Sequence, residues 1–154
     1  MSRRILILHG PNLNLLGKRD PELYGSQSLD ELNRHIQEQA KALGVHVECR
    51  QSNVEGQLID WLQEADGTFE AVVFNPGGYS HTSVAIRDAV EAISPPVVEV
   101  HMSHVDAREA FRQAAIVAPV CIGRVSGFGA ESYVLGLRAV LDYLWRLAPG
   151  GQTS

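Results

Sequence analysis

"AVVFNPGGYSHTSVAIRDAVEAISPPVVEVHMS", residues 71–103, carries the decision about the fold. Its first five residues, Ala71 to Asn75, form a short apolar run with no alternation. A glycine turn at Gly77 and Gly78 follows, and then a helical pattern opening near Ser80, with Ala85, Ile86, Ala89, Val90 and Ile93 on one side. Ser94-Pro95-Pro96 breaks that helix before a second apolar run, Val97 to His101. Strands that are apolar on both faces and alternate with helices argue a parallel sheet covered on two sides.

The rest of the chain repeats the unit. Further strand candidates are Arg4 to Leu8, Val45 to Gln51 and Val120 to Gly123. Between the first two, "SLDELNRHIQEQAKALG" places Leu29, Leu32, Ile36, Ala40 and Leu43 on one face, opened by a Ser28/Glu31 capping box and closed by Gly44. "SNVEGQLIDWLQEADG" offers Ser52 and Glu55 as a second capping box, with Leu58, Leu62 and Ala65 inward and Gly67 as the stop. A last helix carries Val134, Leu137, Leu141, Leu144 and Trp145. The expectation is one α/β domain over 1–154, a flavodoxin-like, doubly wound, five-stranded parallel sheet of order 2-1-3-4-5, with "PGGQTS" (149–154) as a frayed tail. Ligands of such a sheet bind at the carboxyl ends of the strands, where the order reverses between the first and third.

Composition narrows the function. The chain has 154 residues, 45% of them hydrophobic, which suits one core. A net charge of -5 with only Lys18 and Lys41 as lysines offers no basic stripe for nucleic acid. No run approaches the ~20 apolar residues of a membrane span, and the four apolar residues before His9 are too few for a signal peptide. Cys49 and Cys121, both in strand-like runs, read as reduced thiols of a cytoplasmic protein.

Polar residues collect where the switch point predicts a site. After strand one come His9, Asn12 and Asn14; strand three ends in "NPGGYSH" and strand four in "EVHMSH". Period two puts Glu99, His101 and Ser103 on one face of a strand expected to be apolar on both. The bland reading is a strand end satisfied by neighbouring backbone. The functional one is a carboxylate that holds the imidazole, fixes its tautomer and readies it as a proton donor near neutral pH. Gly77 and Gly78 read either as an ordinary turn or as a close approach to a ligand, with free N–H groups at the start of the next helix receiving an anion. His81 is a cap residue or a ligand contact. Arg108 and Arg112 in "DAREAFR" share one face of a helical turn, either solvated or reaching an anionic or hydroxylated ligand.

Gly17 to Ser26 holds Lys18, Arg19, Asp20, Glu22 and Tyr24 between hinge-like glycines, and reads either as surface or as a lid carrying catalytic groups (17–26). One cation at ~4 Å in an effective dielectric of ~20 contributes about 4 kcal/mol. That is roughly three pKa units on a phenol, enough for Arg19 to ready Tyr24 as a base.

"LHGPNLNLLGKRDPELYG", "FNPGGYSHTSVAIRDA", "EVHMS" and "AREAFR", in this order and spacing, resemble the type II 3-dehydroquinate dehydratases from about Arg4 to Trp145. The resemblance implies a cofactor-free and metal-free lyase that removes water from 3-dehydroquinate by anti elimination through an enolate, a step shared by shikimate formation and quinate breakdown. It implies Tyr24 as base with Arg19 beside it, Asn12 stabilising the enolate through water, and His101, held by Glu99, protonating the leaving hydroxyl. Asn75 and the backbone around Met102 and Ser103 would take the substrate carboxylate, His81 and Arg112 the ring hydroxyls, and Gly77 and Gly78 the close approach. Asp88 would enter from a neighbouring subunit of a homo-oligomer, trimers assembled into a dodecamer.

His104, Asp106, Arg124 and Ser126 depart from that pattern, and are expected to bear on packing and trimer contacts rather than on activity. The alternative function is a flavin- or nucleotide-binding module on the same fold, but Pro11 and Arg19 break the glycine-loop pattern and no dinucleotide fingerprint appears. A phospho-receiver needs acids after strand one, where His9 and Gly10 stand. A metal hydrolase on His9, His81, His101 and His104 lacks ligand spacing. Lys41 lies in the first helix and Lys18 in a loop, so no buried imine-forming lysine presents itself.

Overall fold

The computed structural model describes residues 3–18 and 20–148, the Tyr24 side chain apart. Five strands, β1 (Arg4–His9), β2 (His46–Gln51), β3 (Ala71–Asn75), β4 (Val97–His101) and β5 (Gly123–Ser126), form one sheet in the order β2-β1-β3-β4-β5. Every neighbouring pair is parallel. The helices are α1 (Pro21–Tyr24), α2 (Leu29–Ala42), α3 (Glu55–Ala65), α4 (Tyr79–Thr82), α5 (Val84–Ala92) and α6 (Glu131–Leu147). No helix among the described residues is long and apolar enough to cross a membrane.

Alternation along the strands builds two cores. Ile5, Ile7, Val73, Val98 and Val100 pack with Leu32 and Ile36 of α2 and Leu137 and Val140 of α6. Leu6, Leu8, Val72 and Phe74 meet Leu58 and Leu62 of α3 and Ile86 and Val90 of α5 on the other face. Burying one such side chain contributes about 1.5–3 kcal/mol. At Gly136 the helix α6 comes so close that a Cβ would sit 2.6 Å from Val100 Cγ1.

The Ser28/Glu31 capping box forms as expected. The second does not: Val54 caps α3, Ser52 Oγ accepts from the Val54 N–H, and the Glu55 carboxylate instead takes the Ser83 hydroxyl proton at 2.6 Å. Ser83 also accepts from Ile86 N–H, so it ends α4 and starts α5, and Ala85 turns outward. The fifth strand begins three residues later than the sequence suggested. Pro119 initiates a 3-10 turn over Ala118–Val120, which places Cys121 outside any strand. In α6, Tyr133, Val134, Leu137 and Val140 are buried, Leu141 and Leu144 pack partly against the core, and Trp145 is half exposed.

Candidate active site

The loops after β1 and β3 touch at the switch point. A Cβ on Gly10 would lie 2.7 Å from the Pro76 backbone, and Gly77, at φ +59°, would meet Pro11 at 3.2 Å. Only glycine allows both loops to fold this tightly. Beside them opens a cavity of about 700 Å³, within the usual range for small-ligand sites. Asn12, Asn75, Gly77, Gly78, His81, His101, Met102, Ser103, Arg108 and Arg112 all line it, so residues from four separate stretches of sequence are brought together. Among the described residues its lining includes two arginines and two histidines and no carboxylate, a surface suited to an acidic, hydroxylated ligand.

Asn75 is held by a buried chain. Asn33 Oδ1 lies 2.7 Å from His9 Nε2, which therefore carries the proton. Nδ1 then accepts from the Tyr133 hydroxyl at 2.8 Å, and the same oxygen accepts from Asn75 Nδ2 at 3.0 Å. Asn75 Oδ1 takes the Gly77 N–H at 3.0 Å, fixing the amide's orientation. His9 is fully buried and outside the cavity lining, and burial pushes its pKa down to about 4, partly offset by the Asn33 bond. The same burial pushes the Tyr133 phenol up. His9 thus orients a site residue through Tyr133, a partner 124 positions away that local sequence gave no means of pairing with it.

Glu99 and His101 face the same way on β4, as period two requires, and the carboxylate Oε2 lies 2.9 Å from His101 Nε2. Nδ1 is then the ring nitrogen not held by the carboxylate. Ser80 Oγ donates to the same Oε2 at 3.0 Å. Arg124, paired with Glu99 across the β4–β5 ladder, brings its Nε to 2.9 Å of that oxygen too. Its N–H is not aimed along that line, so the contact is an ion contact rather than a directed hydrogen bond. Neither role is legible in the sequence: Ser80 resembles a helix cap, and Arg124 lies outside the apolar run Val120 to Gly123.

His81 donates Nδ1–H to the Ala114 carbonyl at 2.8 Å and stacks on His101, ring centroids 6.4 Å apart. Burial lowers its pKa, the Ala114 bond opposes this, and the nearby His101, Arg112 and Arg124 lower it further. It is therefore neutral at pH 7, with Nε2 an acceptor. The N–H groups of Gly77, Tyr79, Ser80 and His81 are all bonded within the turn, so these four are taken at the helix start expected to receive an anion. Arg108 and Arg112 do not share one helical turn. Extended backbone at Arg108 separates two 3-10 turns, Val105–Ala107 and Ala110–Gln113, yet both side chains reach the cavity.

Asn12 adopts φ 70°, a left-handed conformation asparagine tolerates, its N–H bonded to Asn53 Oδ1 at 2.9 Å. Asp88 is exposed on α5 and does not line the cavity of its own chain. Arg19 and the Tyr24 side chain lie outside the described residues, as do residues 149–154; around them, α1 spans Pro21–Tyr24 and Gly17 and Gly25 have positive φ.

Comparison with known proteins agrees with this geometry. The family model described as dehydroquinase class II matches residues 3–141. A 3-dehydroquinate dehydratase of Gloeothece citriformis is 56% identical over 143 residues, covering 93% of this chain and 94% of its own. Another from Geotalea daltonii is 51% identical over 141 residues, covering 92% and 98%. The crystal structure of a type II dehydroquinase from Butyrivibrio crossotus superposes with a TM-score of 0.89 at 41% identity, over 91% of this chain and 98% of that one. The chain belongs to the class II dehydroquinase family.

Proposed function

We propose that this chain, a 3-dehydroquinate dehydratase by its family, removes water from 3-dehydroquinate by anti elimination through an enolate, without a Schiff base. The observation that carries the reading is the Glu99–His101 pair at the edge of a cationic cavity at the switch point. Tyr24, as phenolate beside Arg19, takes the proton alpha to the ketone, and the electron pair passes to the carbonyl oxygen. Asn12 stabilises the enolate through a water. Collapse of the enolate breaks the bond to the hydroxyl on the next carbon, which leaves as water with the proton from His101 Nδ1. Because Glu99 holds Nε2, the same carboxylate that orients the ring also stabilises the imidazolium before it gives up that proton.

Binding follows from the lining. Asn75, with one amide hydrogen fixed on Tyr133, presents the other to the substrate carboxylate near the Met102 and Ser103 backbone. His81 and Arg112 take the ring hydroxyls, and Gly77 and Gly78 keep the loop close. Asp88 completes the site of a neighbouring subunit in a dodecamer built of trimers.

The test is turnover of 3-dehydroquinate followed by enone absorbance in wild type and in two variants. Tyr24→Phe and His101→Ala are each expected to lower kcat by about 10²–10⁴-fold, the usual contribution of a positioned acid or base. Near-normal turnover of Tyr24→Phe removes it as the base.

A further inference from the structure

Glu99 is fully buried, and three groups converge on its Oε2: the His101 ring, the Ser80 hydroxyl and the Arg124 guanidinium. Among the described residues, its second oxygen Oε1 and the Nε and Nη2 of Arg124 are buried without a hydrogen bond. Burying these atoms has a cost, and the arrangement holds because opposite charges face each other across two adjacent strands. Neither Glu99 nor Arg124 lines the cavity.

Consider the proton on His101. While it is there, the carboxylate is neutralised by the imidazolium. Once it leaves with the hydroxyl, Glu99 would remain as a buried carboxylate against a neutral ring, an expensive state that opposes donation. A cation on the other side of Oε2 removes that penalty. Arg124 stands there, and arginine remains charged at every accessible pH.

We propose that Arg124 is a positioning residue for the dehydration: it keeps Glu99 ionised and oriented after His101 has given its proton away. The proposal rests on the dehydratase reading above, with His101 as the acid. Arg124 does not line the cavity, so its loss is expected to act chiefly on the chemical step.

The experiment compares kcat and KM for wild type, Arg124→Gln, Arg124→Met and Arg124→Lys, with folding checked by circular dichroism and thermal melting. A positioning residue accounts for part of a general acid's contribution, so kcat is expected to fall roughly ten- to hundredfold in the Gln and Met variants, with KM within about twofold of wild type. Lysine, which keeps the charge, is expected to hold kcat within about tenfold. Met restores packing volume without charge, so a Met or Gln variant with wild-type kcat overturns the proposal, as does a Lys variant no better than Met. If the neutral variants do not fold, Arg124→Lys decides alone: a folded Lys variant that loses more than tenfold in kcat contradicts the proposal. Wild-type protein inert toward 3-dehydroquinate would instead sink the reading beneath it.

Discussion

His9 lies at the end of the interior strand β1, its ring closed in by Tyr133 and Asn33. Its pKa falls from 6.5 to about 4 because burial disfavours the charged ring. A histidine held neutral in the fold makes the unfolded chain bind more protons between those values, so stability rises with pH there. The contribution is complete above about pH 6.5 and is lost as pH falls toward 4, amounting to about 3 kcal/mol. Denaturant titrations of wild type and His9→Gln across that window are expected to show a shallower pH slope in the variant; identical slopes would contradict this. Tyr133→Phe removes the hydroxyl that serves both His9 and Asn75, and is expected to cost about 1–3 kcal/mol and to raise KM for 3-dehydroquinate. The Cys49 and Cys121 thiols, both pushed up to about 12 by burial first, are expected to react slowly with thiol reagents at pH 8. At this scale the sequence was readable where partners are close in the chain, as with Glu99 and His101 two residues apart. It was silent on Tyr133, because only the fold brings α6 over the end of β1.

Among the elements, Ser83 divides what looked like one helix into α4 and α5, and its hydroxyl serves two partners at once, Ile86 N–H and the Glu55 carboxylate. Ser83→Ala is expected to lower stability by about 1–2 kcal/mol, measured by denaturant midpoint, since a cap and a charged acceptor lose their bond together. Gly136→Ala forces a Cβ against Val100 and is expected to cost about 1–3 kcal/mol. The first four strands and the inward helix faces followed from apolar spacing, because buried parallel strands leave that signature, whereas their order was the default of a doubly wound sheet. The fifth strand did not. The expected run, Val120 to Gly123, begins in a proline turn, while the strand itself, Gly123–Ser126, is polar where it borders Glu99 and His101. Hydrophobicity locates strands through the core and misses them where they serve a site.

Over the whole molecule, exposed apolar side chains such as Val84, Phe128 and Trp145 are surface that the proposed assembly would have to cover, and Asp88 on α5 does not line its own cavity. Light scattering is expected to give about twelve times the 16.8 kDa chain mass. A folded, fully active monomer would remove the shared-site role of Asp88. In the proposed enolate chemistry the chain's own residues carry the reaction and no lysine imine forms. The direct measurement is to incubate protein with 3-dehydroquinate and sodium borohydride, remove both, and then follow enone absorbance on fresh substrate. The same rate as untreated protein is expected; activity abolished by that treatment would establish an imine intermediate and rule out the enolate route.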